Sequence, residues 1–156
     1  MLFLAPLMFW NEMDADQNNR GPQGPPEWNW TGLKPGDRLN LELPLTLAAP
    51  LGGHLVSGHV DGMATLVSRR PDARAERLEF EVPAALARYL ARKGSVCLDG
   101  VSLTVNDVDG RRFGVCLIPH TLAVTTLGAL RPGERVNLEV DLVARYLERL
   151  AAPFFE

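Results

Sequence analysis

The most constraining feature of the chain is an internal repeat. The segment 33–45 (LKPGDRLNLELPL) matches the segment 130–142 (LRPGERVNLEVDL) at a constant offset of 97 positions. Each copy is a Pro-Gly turn followed by a strand in which every second residue is apolar. The chain therefore contains one complete unit, about 46–142. We expect 31–45 to be the closing strand of a first unit that is otherwise mostly missing.

Within the complete unit, apolar and polar residues alternate in short runs, which is the pattern of half-buried β-strands. Many short strands separated by turns predict an all-β fold, closed into a barrel. Two of the turns are the pairs Asp99-Gly100 and Asp109-Gly110, which favour tight hairpins because glycine adopts a positive φ without a steric clash. The runs that predict strands are 54–60, 63–68, 77–82, 95–98, 101–108, 112–118 and 135–140.

Three short helices complete this prediction. The first covers 83–93, with Pro83 in its first turn and Gly94 as its C-terminal stop. The second follows Pro119. The third runs from Asp141 to about Ala151 and presents an apolar face to the barrel or to a partner.

Residues 1–30 do not resemble the repeat. They are apolar as far as Trp10 and then polar, with several glycines and prolines. We expect a disordered leader that is neither a signal peptide nor a membrane span. The net charge of −3 gives no electrostatic reason to expect a nucleic acid or an anionic membrane as partner. Cys97 and Cys116 lie in apolar runs, which predicts buried free thiols and a cytoplasmic protein.

Five motifs follow one another along the complete unit: GGHLVSGHVDG at 52–62, Lys93-Gly94, DGVSLTV at 99–105, LIPHTL at 117–122 with Thr125-Thr126, and VNLEVD at 136–141. In this order and spacing they resemble the second lumazine-binding repeat of the riboflavin synthase family, over about 31–148. The resemblance implies a six-stranded Greek-key barrel with a C-terminal helix, together 46–150. In the family, a subunit has two such barrels, and subunits associate as trimers through that helix.

The resemblance also implies a reaction. Members of the family dismutate two molecules of 6,7-dimethyl-8-ribityllumazine to riboflavin and 5-amino-6-ribitylaminouracil, with neither a metal nor a redox cofactor. Each active site joins the first barrel of one subunit to the second barrel of its neighbour. We therefore expect this chain alone to be a poorly active form that needs a first-barrel domain.

Four of the predicted substrate-binding residues lie on or just after strands. Ser102 and Thr104 are two positions apart, so both hydroxyls emerge on one face of a strand. Ile118 and Thr121 flank Pro119, where an apolar side chain and a hydroxyl can hold a ring. Without the resemblance, all four would be ordinary surface, turn or core residues.

Asp141 and Lys93 complete the predicted binding set. The Asp141 carboxylate can accept hydrogen bonds from ribityl hydroxyls, and it can equally be the N-cap of the following helix. Lys93 is either a ligand-facing cation or a lysine at a helix C-terminus that complements the helix dipole.

His59 is the predicted catalytic residue. It lies between the glycines of the GHVDG segment and resembles a family position near the ligand, where an imidazole can assist deprotonation of the lumazine 7-methyl group. A purely structural role is the alternative. We expect His54, in the Gly-Gly-His turn, to be structural, and His120 lies beside Pro119.

Three other functions use the same residue types. A hydrolase triad of His59, Ser102 and Asp141 lacks the Gly-x-Ser-x-Gly turn that exposes a nucleophilic serine. A metal site is disfavoured because His54 and His59, five apart on a strand, would face opposite sides. The strongest alternative is a barrel that holds lumazine or flavin without turning it over.

Overall fold

The computed structural model describes residues 3–4, 35–43 and 45–154, of which 62–140 form one barrel. Two short strands precede the barrel and pair with each other: β1 (Phe3–Leu4) and β2 (Leu41–Glu42). The barrel strands are β3 (Gly62–Asp72), β4 (Ala75–Glu81), β5 (Ser95–Leu98), β6 (Val101–Asp109), β7 (Arg112–Leu117) and β8 (Arg135–Val140).

The barrel is closed and antiparallel, with the strand order β3-β4-β7-β6-β5-β8. Hairpins join β3 to β4, β5 to β6 and β6 to β7, whereas β4 to β5 and β7 to β8 are crossover connections. These crossovers contain the short helices α1 (Ala84–Ala87) and α2 (Pro119–Val124), and the 3₁₀ turn Thr126–Ala129. Helix α3 (Leu142–Ala151) and the 3₁₀ turn Ala152–Phe154 follow β8. The predicted six-stranded Greek-key barrel is confirmed.

Alternate residues of the strands fill the barrel, because successive side chains of a strand point to opposite faces. The rings of Phe80 on β4 and Phe113 on β7 stack with centroids 5.6 Å apart. Both are buried, and burial of each ring contributes about 1.5–3 kcal/mol. The core holds the outward-facing side chains of β5, β6 and β8 at fixed positions.

Two predicted elements are wrong in extent. The run 54–60 is not a strand, because the N–H groups of Ser57 and Gly58 donate to a side chain instead of a neighbouring strand. The helix predicted over 83–93 is one turn long. After that turn, backbone hydrogen bonds such as Leu90 N–H to Ala87 O span three residues, and Lys93 adopts φ +66°. Gly94 is therefore not a helix stop.

The segment 35–43 lies beside the barrel, and its two partly buried residues are Asn40 and Glu42. Asn40 donates from its amide to the carbonyl oxygen of Asp99 and to the hydroxyl of Thr126, at 2.8 Å each. Leu39 and Leu43 are exposed. Apart from residues 3–4, the predicted leader 1–30 lies outside the described residues, and the division into a leader, a strand remnant and a barrel stays a prediction. No helix within the described ranges is long and apolar enough to cross a bilayer.

Candidate functional site

Ser102 and Thr104 lie on the outer face of β6. Val101 and Val105 of the same strand are buried in the core, whereas Ser102 is half-buried and Thr104 is exposed. Ser102 lies opposite Cys97 of β5 in the antiparallel register. The two hydroxyls therefore share one face of the sheet, as their spacing predicts.

Residues 53–61, here called the crossing loop, pass over this outer face. His54 Nδ1 lies 2.8 Å from Ser102 Oγ, and the backbone N–H of His54 donates to the same oxygen at 3.3 Å. The approach requires glycine at position 53, because a Cβ there would collide with Ser102 Oγ and lie 2.9 Å from its Cβ. The loop therefore packs directly on a predicted ligand-binding residue.

The middle of the crossing loop is anchored on Glu139 of β8. One carboxylate oxygen accepts from the N–H and the hydroxyl of Ser57 at 2.7 Å each, and the other accepts from Gly58 N–H at 2.9 Å. Glu139 is only 6% exposed, and these three hydrogen bonds offset the cost of burying its charge.

Cys97 of β5 lies between the two contact points of the crossing loop. It is opposite Ser102 on one side and Glu139 on the other. Its side chain is buried, and this burial raises the pKa of the thiol. A thiol held in its protonated form is a poor nucleophile, so Cys97 serves packing rather than chemistry.

The crossing loop ends on a second carboxylate, Asp61. Its Oδ2 accepts from Val140 N–H at 2.8 Å, and its own N–H donates to Leu138 O at 2.8 Å. Its other oxygen forms an ion pair with Arg145 of α3. Asp61 therefore fixes the loop to both β8 and the C-terminal helix.

Asp141 follows β8 directly and caps α3. Its Oδ1 accepts from Val143 N–H at 2.9 Å, which confirms the predicted N-cap. Val140 lies opposite Val96 in the β5–β8 register, so the next residue, Asp141, comes beside Ser95. Ser95 in turn lies opposite Thr104 of β6. Asp141 thus lies at the same end of the sheet as the predicted hydroxyl pair.

The charge of Asp141 also acts on His54. Burial lowers the pKa of His54 below its ordinary value, and the negative charges of Asp141 and Glu139 only partly oppose this shift. The ring is therefore neutral near pH 7.

Lys93 lies beside β6 with an exposed side chain. Its N–H donates to Val105 O at 2.8 Å, and Val105 N–H donates to Gly94 O at 2.9 Å. This pairing places the backbone of Lys93 beside Val105, the residue that follows Thr104 on β6. Since α1 ends at Ala87, Lys93 is not in the last turn of a helix, and its interpretation as a dipole-complementing lysine is wrong.

Ile118 and Thr121 lie where β7 passes into α2. Val105 lies opposite Val115 in the β6–β7 register. Three residues further along each strand are Ser102 and Ile118, so both lie at the same end of the β6–β7 pair. Ile118 is 57% exposed, which leaves its apolar side chain available for contact. Thr121 is half-buried, and its carbonyl accepts from Thr125 N–H at 3.1 Å.

The three histidines have different environments. His59 follows Gly58, which has φ +79°, and its side chain is exposed. His120 is exposed in α2. His54 is half-buried against Ser102, so the histidine expected to be only structural is the one that contacts a predicted binding residue. The Gly-Gly pair before it was the available signal, because such a pair permits close approach of the backbone.

The hydrolase triad does not form among the described residues. Ser102 pairs with His54 rather than with His59. His54 Nε2 is buried without a hydrogen-bond partner in the described part of the chain, so no carboxylate there orients this imidazole as a triad requires.

A cavity adjoins the crossing loop, and a second lies along β3. One, of about 530 Å³, is bounded by the segment 38–42 and by Asp99, Asn137 and Glu139 of the barrel. The other, of about 650 Å³, lies along β3 near Met63 and Arg111. Neither lining includes a predicted site residue, but the first includes Gly58 and Val60, the two chain neighbours of His59.

Comparison with known proteins finds riboflavin synthases among the relatives of this chain. The chain is 50% identical over 121 residues to the riboflavin synthase of Mycobacterium tuberculosis, covering 76% of this chain and 60% of that protein. It is 51% identical over 116 residues to the riboflavin synthase of Brucella abortus, covering 74% and 57%. The chain thus spans about 60% of the length of these relatives.

The fold has solved counterparts. A structure of LumP complexed with 6,7-dimethyl-8-(1'-D-ribityl) lumazine matches with a TM-score of 0.63 and 22% identity, covering 71% of this chain and 59% of that one. LumP complexed with riboflavin matches with a TM-score of 0.64 and 23% identity, covering 71% and 60%. The family model described as the lumazine binding domain matches residues 57–141, more than half of the chain. The chain therefore belongs to the lumazine-binding domain family.

Proposed function

We propose that this chain binds 6,7-dimethyl-8-ribityllumazine and provides the second-barrel half of a riboflavin synthase active site. The observation that carries the proposal is the polar face on β6, flanked by the crossing loop and the end of β8, in a chain of the lumazine-binding family. The curated relatives at about 50% identity are riboflavin synthases. Riboflavin synthase activity, a transferase reaction, is the function that best fits this combination.

The chemistry of this surface suits a heteroaromatic ring that bears a polyol. Ser102 and Thr104 offer hydroxyls to ring heteroatoms, and Lys93, whose backbone pairs with Val105 of the same strand, offers an ammonium group. Ile118 supplies an exposed apolar side chain against a ring face. We assign Asp141, with Thr121, to the ribityl chain, because a carboxylate has further lone pairs besides the one used for capping.

His59 is the proposed acid–base residue. Its exposed imidazole lies on the crossing loop, beside the loop's anchor on Glu139. In the proposed reaction, the imidazole assists removal of a proton from the lumazine 7-methyl group, which turns that carbon into the nucleophile.

The alternative function is binding of lumazine or flavin without turnover. It is favoured by one observation, that the matching LumP structures hold lumazine or riboflavin. Both functions require ligand binding at the same face. Conversion of lumazine to riboflavin discriminates them.

A titration of lumazine or riboflavin fluorescence tests the binding site. Thr104→Ala removes one exposed hydroxyl and should weaken binding by about two- to tenfold, the effect of one net hydrogen bond. Thr65→Ala on β3 removes a hydroxyl elsewhere on the barrel and is the matched control. Equal affinities of the Thr104→Ala variant and the parent chain would place the ligand elsewhere.

We also propose a homotrimeric, cytoplasmic protein with a small-molecule substrate as its partner. Helix α3 exposes Val143, Leu147 and Leu150, at the spacing of one helix face, and this face is suited to subunit contact. Both cysteines are free thiols, which fits a reducing compartment.

A further inference from the structure

His54 makes two contacts with one hydroxyl group. Its backbone N–H donates to Ser102 Oγ at 3.3 Å, and its ring Nδ1 lies 2.8 Å from the same oxygen. A serine hydroxyl has two lone pairs and one proton. The position of the single ring proton of neutral His54 therefore decides what Ser102 can still offer to a ligand.

The surroundings of the ring favour a proton on Nδ1. His54 Nε2 is buried and has no hydrogen-bond partner among the described residues. A proton on Nε2 would leave a buried donor unpaired, and orphaned buried N–H groups are rarer than under-satisfied acceptors. A proton on Nδ1 instead donates to Ser102 Oγ and leaves only a lone pair unused at Nε2.

We propose that His54 is a positioning residue that occupies both acceptor sites of Ser102 and directs its hydroxyl proton outward, as a donor to an acceptor atom of the ligand. This inference rests on the proposed lumazine site and deepens it. Ser102 then selects a ring carbonyl oxygen or an unprotonated ring nitrogen, and it cannot accept from a ring N–H. Burial, which lowers the pKa of His54, keeps the imidazole in the neutral form that this arrangement uses.

The crossing loop holds His54 at this distance. Gly53 permits the close approach to Ser102, and Glu139 fixes the loop three residues further on through Ser57 and Gly58. The backbone is therefore held in place on both sides of His54, at Gly53 and at residues 57–58, and this fixes the position of the imidazole.

A double-mutant cycle tests the inference through the affinity for 6,7-dimethyl-8-ribityllumazine. Ser102→Ala and His54→Leu should each weaken binding by about two- to tenfold, as loss of one oriented hydrogen bond does. The double variant should bind no worse than Ser102→Ala, because His54 acts through Ser102. His54→Asn places an amide N–H near the position of Nδ1 and should restore most of the affinity.

The control cycle pairs His54→Leu with Thr104→Ala, whose effects should multiply. If His54 were merely structural, its loss would weaken binding equally in the Ser102→Ala background, and that result would overturn the proposal. Absence of lumazine binding by the parent chain would contradict the proposed function instead.

A second measurement needs no ligand, and its decisive result comes from the parent chain. Nitrogen-15 NMR of the parent chain reports which ring nitrogen of His54 carries the proton. We expect the proton on Nδ1 in the parent chain and a redistribution between the two nitrogens in Ser102→Ala. A proton on Nε2 in the parent chain would overturn the proposal, whatever the affinities are.

Discussion

Asp99 is a largely buried carboxylate at the β5–β6 turn. It has φ +45° and Gly100 has φ +79°, the pair of positive values that this tight hairpin requires. Its Oδ1 accepts from Asn137 N–H at 2.8 Å, which ties the turn to β8. Burial raises the pKa of Asp99 to about 6, and the hydrogen bond from Asn137 opposes this shift only in part.

The raised pKa predicts a pH-dependent stability. The folded chain binds this proton more tightly than the unfolded chain, in which the value is 3.8. The contribution of the Asp99 proton to the free energy of unfolding is full below about pH 4 and is lost as the pH rises through about 6. Asp99→Asn keeps the acceptor and tolerates a positive φ, so it should raise the free energy of unfolding at pH 8 by about 1–3 kcal/mol.

Urea unfolding between about pH 4 and pH 8 measures this effect. Asp109→Asn is the matched control, because Asp109 begins the other Asp-Gly turn and is exposed. The Asp99→Asn variant should show a flatter pH profile than the parent chain and the control. The same slope in all three would mean that Asp99 is not the titrating group.

Single residues were predictable where their role depends on local spacing. The shared face of Ser102 and Thr104 follows from the two-residue period of a strand, and the cap at Asp141 follows from its place before a helix. The contact between His54 and Ser102 spans 48 positions and depends on a glycine that permits it. No local pattern encodes such a contact.

At the scale of elements, the crossing loop is held by side chains where a strand would be held by a neighbouring backbone. Glu139 supplies the acceptors for the Ser57 and Gly58 N–H groups. Glu139→Ala leaves these donors without partners and should destabilise the barrel by about 2 kcal/mol or more. Hydrogen exchange should show lost protection at residues 57–58, while the amides of β6 keep theirs.

Glu79→Ala is the control for this prediction, because Glu79 lies on β4 and its carboxylate accepts a long, exposed hydrogen bond from the hydroxyl of Ser68, at 3.3 Å. Weaker lumazine binding should accompany the loss of protection in Glu139→Ala. Unchanged exchange at residues 57–58 would show that the loop is held by other contacts.

The extents of the elements show why the sequence predicts strands better than loops. Alternation marks an extended backbone, so the barrel strands were predicted to within a few residues. Alternation does not indicate which groups the backbone N–H donors bond to. The run 54–60 is therefore predicted as a strand, although its Ser57 and Gly58 N–H groups donate to the carboxylate of Glu139. The helix over 83–93 is predicted from the spacing of apolar residues. In the structure, tight turns near Leu90 and Lys93 replace the helix and bring the chain to β6.

At the scale of the whole molecule, the outer face of α3 predicts assembly. Leu147 and Leu150 are 62% and 70% exposed on the helix that Asp61 ties to the barrel through Arg145. Leu147→Glu places a charge on this face and should convert a trimer to monomers in sedimentation equilibrium. Arg149→Glu, on the opposite side of the helix, should leave the assembly intact. A monomeric parent chain would contradict the prediction.

Turnover is expected to be slow for this chain alone. The proposed reaction requires two lumazines held face to face, and this orientation supplies much of the rate. The family model of the lumazine binding domain matches residues 57–141, and the apolar side chains of Leu39 and Leu43 in the preceding copy of the repeat are exposed. The proposed site on this barrel holds one lumazine, so mixing in the first-barrel domain of a related riboflavin synthase should increase riboflavin formation, measured by absorbance. The increase should be smaller with Thr104→Ala, because that variant weakens the second-barrel site. Efficient synthesis by the 156-residue chain without an added domain would contradict this prediction.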